Sequence, residues 1–234
     1  MYKRIVLKIG GESLCSEGKK GIDLNEIDFL CKEIKTVKEL GIEIAVVIGG
    51  GNIIRGRELS SNNIISPATA DYMGMLATLI NAIALQDALE KCGIETRVQT
   101  ALTVASVAEP FIRRKCISHL SKGRIVILAA GTGNPYVTTD TAAALRAAEI
   151  KADVILKATK VDGVYTDDPN INRQAKKLDT ISYLDIVNNR LKVMDSTAIT
   201  MCMENKIPVV VFSLKPSGNL LKVIKGEKIG TYIV

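Results

Sequence analysis

At 234 residues the chain is long enough for one sizeable core and lies between the usual one-domain and two-domain lengths. Its 47% hydrophobic and 24% charged residues exclude the sparse-apolar, high-charge composition of disorder. The net charge of +6 is spread along the sequence and aromatic residues reach only 4%, so a nucleic-acid surface of basic tracks and stacking platforms is not expected; small anionic ligands fit better.

In chain order, Met-Tyr-Lys-Arg leads without a signal-peptide core into the apolar run Ile5 to Ile9. Similar β-branched runs follow at Ile42 to Ile48, Glu95 to Val98, Arg124 to Leu128, Val154 to Leu156, Val209 to Phe212 and Thr231 to Val234, each of strand length. Between the first two, Leu24, Ile27, Cys31, Ile34, Val37 and Leu40 recur in three- and four-residue steps, which predicts a helix ended by Gly41. Further helices are predicted over Met73 to Leu89, entered after Pro67 and closed by Gly93, and over Thr141 to Ile150. Strand and helix in alternation predict an α/β fold with a mainly parallel sheet covered on both faces. No linker separates independent domains, although the part beyond about Lys151 reads as a distinct lobe. No stretch approaches the roughly 18 apolar residues of a membrane span, so a cytoplasmic protein without membrane contact is expected. Cys15, Cys31, Cys92, Cys116 and Cys202 lack metal or disulfide spacing and read as small hydrophobes.

Ligands of parallel sheets bind beyond the carboxyl ends of strands, and four such ends are rich in small hydrogen-bonding residues. Lys8-Ile-Gly-Gly-Glu-Ser points a compact cation toward the first loop, unless Lys8 is only a strand-edge lysine. Gly49-Gly-Gly-Asn-Ile-Ile-Arg-Gly exposes backbone amides to an anion, with Arg55 as a bidentate phosphate clamp; a tight turn with a surface arginine is the plainer reading. Gly131-Thr-Gly-Asn-Pro-Tyr-Val-Thr-Thr-Asp offers more hydroxyl and amide groups than the one a helix cap requires. The fourth is Lys157-Ala-Thr-Lys-Val-Asp-Gly-Val-Tyr-Thr-Asp-Asp-Pro.

Walker-type, dinucleotide-binding and protein-kinase motifs are missing from the sequence, and its only histidine, His119, reads as a surface or capping residue near a helix end. A missing base has a chemical reading. If the acceptor is a phosphate monoester, with a second pKa of about 6, no proton need be removed; lysine, arginine, glycine amides and Mg²⁺ suffice to hold two polyanions in line.

Six segments in order, Lys8-Ile-Gly-Gly-Glu-Ser-Leu, Gly49-Gly-Gly-Asn-Ile-Ile-Arg-Gly, Ala70-Asp-Tyr-Met-Gly-Met-Leu-Ala-Thr, Gly131 to Ala143, Lys157 to Pro169 and Met194-Asp-Ser-Thr-Ala, resemble the motifs of the bacterial uridylate kinases, in the amino acid kinase superfamily. The resemblance spans nearly the whole chain. It implies a three-layer α/β/α sandwich, one domain over 1–234 with an acceptor lobe over about 1–150 and an ATP lobe over about 151–234. It also implies transfer of the γ-phosphoryl of ATP, with Mg²⁺, to UMP.

By that resemblance Gly50, Gly51, Arg55, Asp71, Thr132, Gly133, Asn134, Pro135, Tyr136, Val137, Thr138 and Thr139 would hold UMP, with Asp71 on the ribose hydroxyls and Arg55 on the acceptor phosphate. Lys8, Gly10 and Gly11 would meet the donor phosphates, Ile9, Gly51, Arg55 and Asp195 would also belong to the ATP site, and Thr159, Tyr165 and Asp168 would line the adenosine side. Asp195 would support the nucleotide lobe or cap a helix. Asp140 would organise the lysines and Mg²⁺ without being assigned as a direct metal ligand, and Lys157 or Lys160 would supply a second cation. A homohexamer and UTP as a candidate inhibitor are likewise implied.

Two departures bear on these expectations. Lys-Ile-Gly-Gly replaces Lys-Leu-Ser-Gly, removing a hydroxyl from the donor loop, and Cys15-Ser-Glu-Gly-Lys-Lys-Gly-Ile-Asp differs from the glycine-rich form associated with GTP activation, which is not expected here. Two other readings compete, a UMP- or UTP-sensing protein without turnover and a small-carboxylate kinase on the same fold. Cations at both phosphates weigh against the first, and Asp71 with the Thr132 to Thr139 loop against the second.

Overall fold

Each apolar run read as a strand is one in the computed structural model, which describes residues 2–60, 64–167, 171–172, 174–189, 191 and 193–234, the side chains of 57 and 58 apart. The first half runs β1 (Arg4–Ile9), a 3-10 turn (Gly11–Leu14), α1 (Leu24–Lys38), β2 (Glu43–Ile48), α2 (Gly56–Ser60), α3 (Pro67–Lys91), β3 (Thr96–Thr100), β4 (Glu109–Pro110), α4 (Arg113–Ser121) and β5 (Ile125–Ala129). The second runs α5 (Thr139–Ile150), β6 (Val154–Thr159), β7 (Val164–Tyr165), β8 (Lys177–Leu178), β9 (Thr180–Ile181), α6 (Tyr183–Asn188), α7 (Ser196–Glu204), β10 (Val209–Ser213), α8 (Asn219–Ile224) and β11 (Thr231–Ile233).

Nine strands among the described residues form one sheet in the order β4-β3-β5-β2-β1-β6-β10-β11-β9, and β7 pairs with β8 separately. Among the described residues, β10–β11 is the antiparallel neighbour pair of the large sheet. Because side chains alternate across a strand, Ile5, Leu7 and Ile9 face a core formed with α1, α3 and α8. Val6, Ala45 and Val47 face a second core with α4, α5, α6 and α7. The result is helices, sheet, helices, with chain direction carrying the ends of β5, β2, β1 and β6 to one edge. That edge carries all four loops singled out above.

α3 starts at Pro67, six residues before Met73, because Pro67 takes the first helical position and the Ser66 side chain caps Thr69 N–H at 3.2 Å. Contrary to the reading of the sequence, this helix is long and apolar enough to cross a membrane. Its inner residues Leu79, Ala82, Leu85 and Leu89 instead pack in the first core. His119, expected at the surface or as a cap, is buried. Arg124 can only donate, so it fixes Nδ1 as the acceptor at 3.0 Å and leaves Nε2–H for Glu109 at 3.1 Å. The five cysteines are free, four of them buried. The sequence pattern missed the two-residue strands β4, β7, β8 and β9 and the short helices α2, α6 and α8, which are too brief to show a period.

α3 lies directly on the β2 loop. A Cβ added to Gly50 would stand 2.7 Å from the Gly74 carbonyl, 2.9 Å from Ala77 Cβ and 3.0 Å from Thr78 N. Helix backbone cannot rotate away. Gly50→Ala is therefore expected to lower the stability measured by urea unfolding by about 1–3 kcal/mol, and an unchanged midpoint would refute this contact.

Candidate functional site

Lys8 on β1 and Lys157 on β6 are direct register partners. Lys8 lies two residues beyond Val6, and Lys157 two beyond Ile155, so both lysines turn to the same face as these residues, the α5 face of the sheet. Like charges opposite one another on neighbouring strands repel. Asp140 relieves this repulsion from the first turn of α5, whose N-cap Thr138 accepts from Asp140 N–H at 3.1 Å and Thr141 N–H at 3.4 Å. The carboxylate reaches both ammonium groups, Oδ1 at 2.7 Å from Lys8 Nζ and Oδ2 at 2.5 Å from Lys157 Nζ. Lys157 also donates to the Val193 carbonyl at 2.5 Å. The Lys8 contact is a charge pairing without hydrogen-bond alignment at Oδ1.

Burial pushes the Asp140 pKa up, yet Lys8 and Lys157 together outweigh it and hold the carboxyl below the usual carboxylate range. For Lys157 the balance reverses. Its burial, with Lys8 beside it, lowers the ammonium pKa despite the pull of Asp140. With all three ionised, two cations against one anion leave a single net positive charge, largely shielded from water, at the end of the central strands.

The glycine loops after β1 and β2 stand back to back beside this cluster. A Cβ on Gly11 would lie 2.5 Å from Asn52 Oδ1 and 2.6 Å from Gly51 N, whereas Gly10 and Gly51 themselves have open space. Ile9 is fully buried, and its carbonyl accepts from Gly49 N–H at 2.8 Å, so its side chain faces no ligand space. Arg55 is exposed, pairs with Glu12 from the 3-10 turn, and lies 3.4 Å from the Gly51 carbonyl. An exposed pair of this kind contributes about 0–1 kcal/mol, so an incoming phosphate can replace Glu12 at little cost.

The loop after β5 turns through left-handed backbone at Gly131, Gly133 and Tyr136, with φ of 56°, 82° and 65°. Its conformation is held from three sides. Asp71, on α3, accepts from Tyr136 N–H at 2.7 Å. Thr132 accepts from Asn134 N–H at 3.3 Å, and Arg146, stacked 3.8 Å above the Phe111 ring, reaches the Gly131 carbonyl at 3.5 Å. Pro135 is half-buried, while Asn134, Tyr136, Val137 and Thr138 are exposed, and Thr139 opens α5.

Asp195 is the N-cap of α7, accepting from Ala198 N–H at 2.9 Å, Thr141 Oγ1 at 2.6 Å and Thr138. Both of its oxygens are engaged in tying α7 to α5. Burial raises its pKa, but these hydrogen bonds from Thr138, Thr141 and Ala198 bring it below the ordinary value. Thr159 and Lys160 lie elsewhere, in a cavity of about 250 Å³ shared with Glu12, Phe29, Leu214 and Lys215. Tyr165 bonds Asp162 at 2.7 Å, and Asp168 lies outside the described residues. Among the described residues, no group of three or more His, Cys, Asp or Glu side chains is placed to hold a metal ion. Sequence reasoning missed Glu12, and it missed the buried Thr78 and Asn81, whose polar character is hidden inside an apolar helix.

Residues 3–213 match the amino acid kinase family. Among solved structures, the chain is similar to the UMP kinase of Bacillus anthracis, with 38% identity over 99% of this chain and 96% of that one and a TM-score of 0.96. It is similar to the UMP kinase of Ureaplasma parvum at 35% identity, covering 100% and 99% of the two chains with a TM-score of 0.93. The uridylate kinase of Archaeoglobus fulgidus matches at 32% identity over 98% and 99%, with a TM-score of 0.76.

Replacing Asp140 with Asn leaves the two buried ammonium groups unpaired, and breaking a buried pair in this way costs about 3–5 kcal/mol. The folded pKa of Asp140 is depressed from an unfolded value near ~3.9, so its contribution is full above about pH 5 and is lost as pH falls through the folded value. Urea titrations of wild type and Asp140→Asn are expected to show a constant stability gap between about pH 5 and 7 that narrows below about pH 4. A gap unchanged down to about pH 2 would contradict the ion pairing.

Proposed function

The chain belongs to the amino acid kinase family, and within it we propose a cytoplasmic UMP kinase, which moves the γ-phosphoryl of ATP onto UMP to give UDP and ADP. The observation that carries this reading is the Lys8–Asp140–Lys157 cluster beside back-to-back glycine loops, a fixed positive charge where two phosphate chains can meet. A UMP phosphate oxygen forms the new P–O bond as the bond from the γ-phosphorus to the β,γ-bridging oxygen breaks. The acceptor is already dianionic near neutral pH, with a second pKa of about 6, so charge neutralisation replaces proton abstraction.

In this reading Arg55 exchanges Glu12 for the acceptor phosphate, and Gly50, Gly51 and the loop from Thr132 to Thr139 enclose UMP, with Asp71 at the ribose. Lys8, Gly10, Gly11 and the Ile9 backbone flank the donor phosphates. Lys157, paired with Asp140, is the second cation of the transfer; Lys160, Thr159, Tyr165 and Asp168 belong to the adenosine side. Asp195 acts by holding α7 and α5 together behind Asp140. Mg²⁺ arrives with ATP as part of the co-substrate. Such an ion is commonly held by phosphate oxygens and water, which suits a site whose central carboxylate is already shared by two lysines. The acceptor lobe, 1–150, and the ATP lobe, 151–234, would then meet along β1 and β6.

A homohexamer is proposed from the family resemblance, and α3 offers one of the contacts it needs: Tyr72, Leu76, Ile80 and Ile83 form an outward apolar stripe, 37% to 51% exposed, that a second copy can cover. UTP, sharing the uridine and carrying more phosphate, would inhibit by occupying the acceptor side.

ADP formation with MgATP is expected with UMP and to be much slower with CMP, dUMP, acetylglutamate or aspartate. Equal turnover of CMP removes the uridine assignment, and nucleotide binding without any turnover favours a sensor. Arg55→Ala and Asp140→Asn are each expected to lower kcat/KM by about two orders of magnitude or more, and near-wild-type rates would contradict their roles. Light scattering of the double variant Leu76→Glu, Ile80→Glu is expected to show a smaller assembly than wild type; an unchanged mass would remove α3 from the interface.

A further inference from the structure

α3 turns an unusual polar edge toward the sheet. Asp71, Gly74, Thr78 and Asn81 are spaced by three and four residues, one face of a helix, and each touches a site loop. Asp71 holds Tyr136 N–H and the Gly74 carbonyl abuts Gly50. Thr78 Oγ1 accepts from Ala130 N–H at 2.7 Å while donating to its own helix at Met75 O, also at 2.7 Å.

Asn81 is the innermost of the four and is fully buried. Its amide and that of Asn52 bond reciprocally, Asn81 Nδ2 to Asn52 Oδ1 at 2.7 Å and Asn52 Nδ2 to Asn81 Oδ1 at 3.1 Å. The remaining donor of each amide leaves the pair in a different direction. Asn81 Nδ2 donates to Gly49 O at 2.8 Å, and Asn52 Nδ2 donates to Gly21 O at 2.8 Å. Asn52 Oδ1 also occupies the space beside Gly11, where an added Cβ would be only 2.5 Å from it. A single pair of amides therefore registers the loop after β1 against the loop after β2. A buried network satisfied this fully is rigid, and loss of one member leaves the others unpaired.

We propose that Asn81 is a positioning residue for phosphoryl transfer, acting through Asn52 and Gly49 to fix the distance between the donor and acceptor loops. Being fully buried, it does not face the space open to either nucleotide. Its effect falls on the relative placement of the two, because an error of about 1 Å between reacting groups can cost 100-fold in rate while each ligand still binds. The inference rests on the phosphotransferase reading above, and its test separates the two.

In Asn81→Ala, kcat for UMP phosphorylation, assayed well below the unfolding midpoint, is expected to fall at least about 30-fold. Equilibrium affinities for UMP alone and for a non-hydrolysable MgATP analogue alone should stay within about threefold of wild type. Amide hydrogen exchange supplies a readout independent of activity. Exchange should speed up at Gly49 to Asn52 and also at Gly10 and Gly11, whose link to Asn81 runs through Asn52. If Asn81→Ala does not fold, Asn81→Ser, which is smaller and keeps one hydroxyl, takes its place with the same expectations. A folded variant with wild-type kcat and only a lowered unfolding midpoint overturns the proposal, as does faster exchange confined to the β2 loop. Wild-type protein that binds UMP but never phosphorylates it would sink the kinase reading instead, while the exchange result would still report on the coupling of the loops.

Discussion

Two lysines side by side in neighbouring parallel strands would repel each other in the middle of a sheet, and Asp140 holds them there. Much of the molecule serves that contact. Alanines at 142, 143, 144 and 147 let α5 pack closely on the strands, Thr138 caps its first turn, and Asp195 reaches from α7 to Thr138 and Thr141 behind it. The cluster is locally favourable only with the carboxylate ionised. Its surplus positive charge is what an incoming polyphosphate donor and phosphate monoester acceptor can use, because the field of the two lysines already stands where charge must be neutralised.

α3 complements this arrangement from the other face of the sheet. An ordinary surface helix turns apolar residues inward and polar ones outward, but α3 between Asp71 and Ile83 puts Asp71, Thr78 and Asn81 toward the loops and Tyr72, Leu76, Ile80 and Ile83 outward. The inward polar groups replace side-chain packing with directed hydrogen bonds to two loops, those after β2 and β5, that would otherwise depend on glycine-rich backbone for their shape. The cation cluster and the loop scaffold thus come from opposite layers and meet at the ends of β1 and β2.

The parts of the fold legible in the sequence were those with a period. Strand runs such as Ile5 to Ile9 and the α1 stripe from Leu24 to Leu40 announced a parallel sheet, and the rule that ligands sit at strand ends found the four loops. Register was not legible. Nothing in Lys8 or Lys157 taken singly says that they are partners, and the choice between Lys157 and Lys160 turns on Lys157 lying within β6 against Asp140 while Lys160 falls in the loop beyond the strand. Asn81 was invisible because a single amide inside Leu-Ile-Asn-Ala-Ile does not disturb an apolar pattern, and His119 was misjudged because its partners Glu109 and Arg124 come from other elements. The α3 start was lost to its unpatterned first turns, where the inward residues are polar.

The most direct measurement is a crystal structure with UMP and a non-hydrolysable MgATP analogue bound together. Lys8 and Lys157 Nζ should then lie about 3 Å from oxygens of the donor γ-phosphate or the acceptor phosphate, with Asp140 still between them. Phosphates bound beyond the reach of both ammonium groups, or lysines turned into bulk solvent, would contradict the role given to the charged cluster.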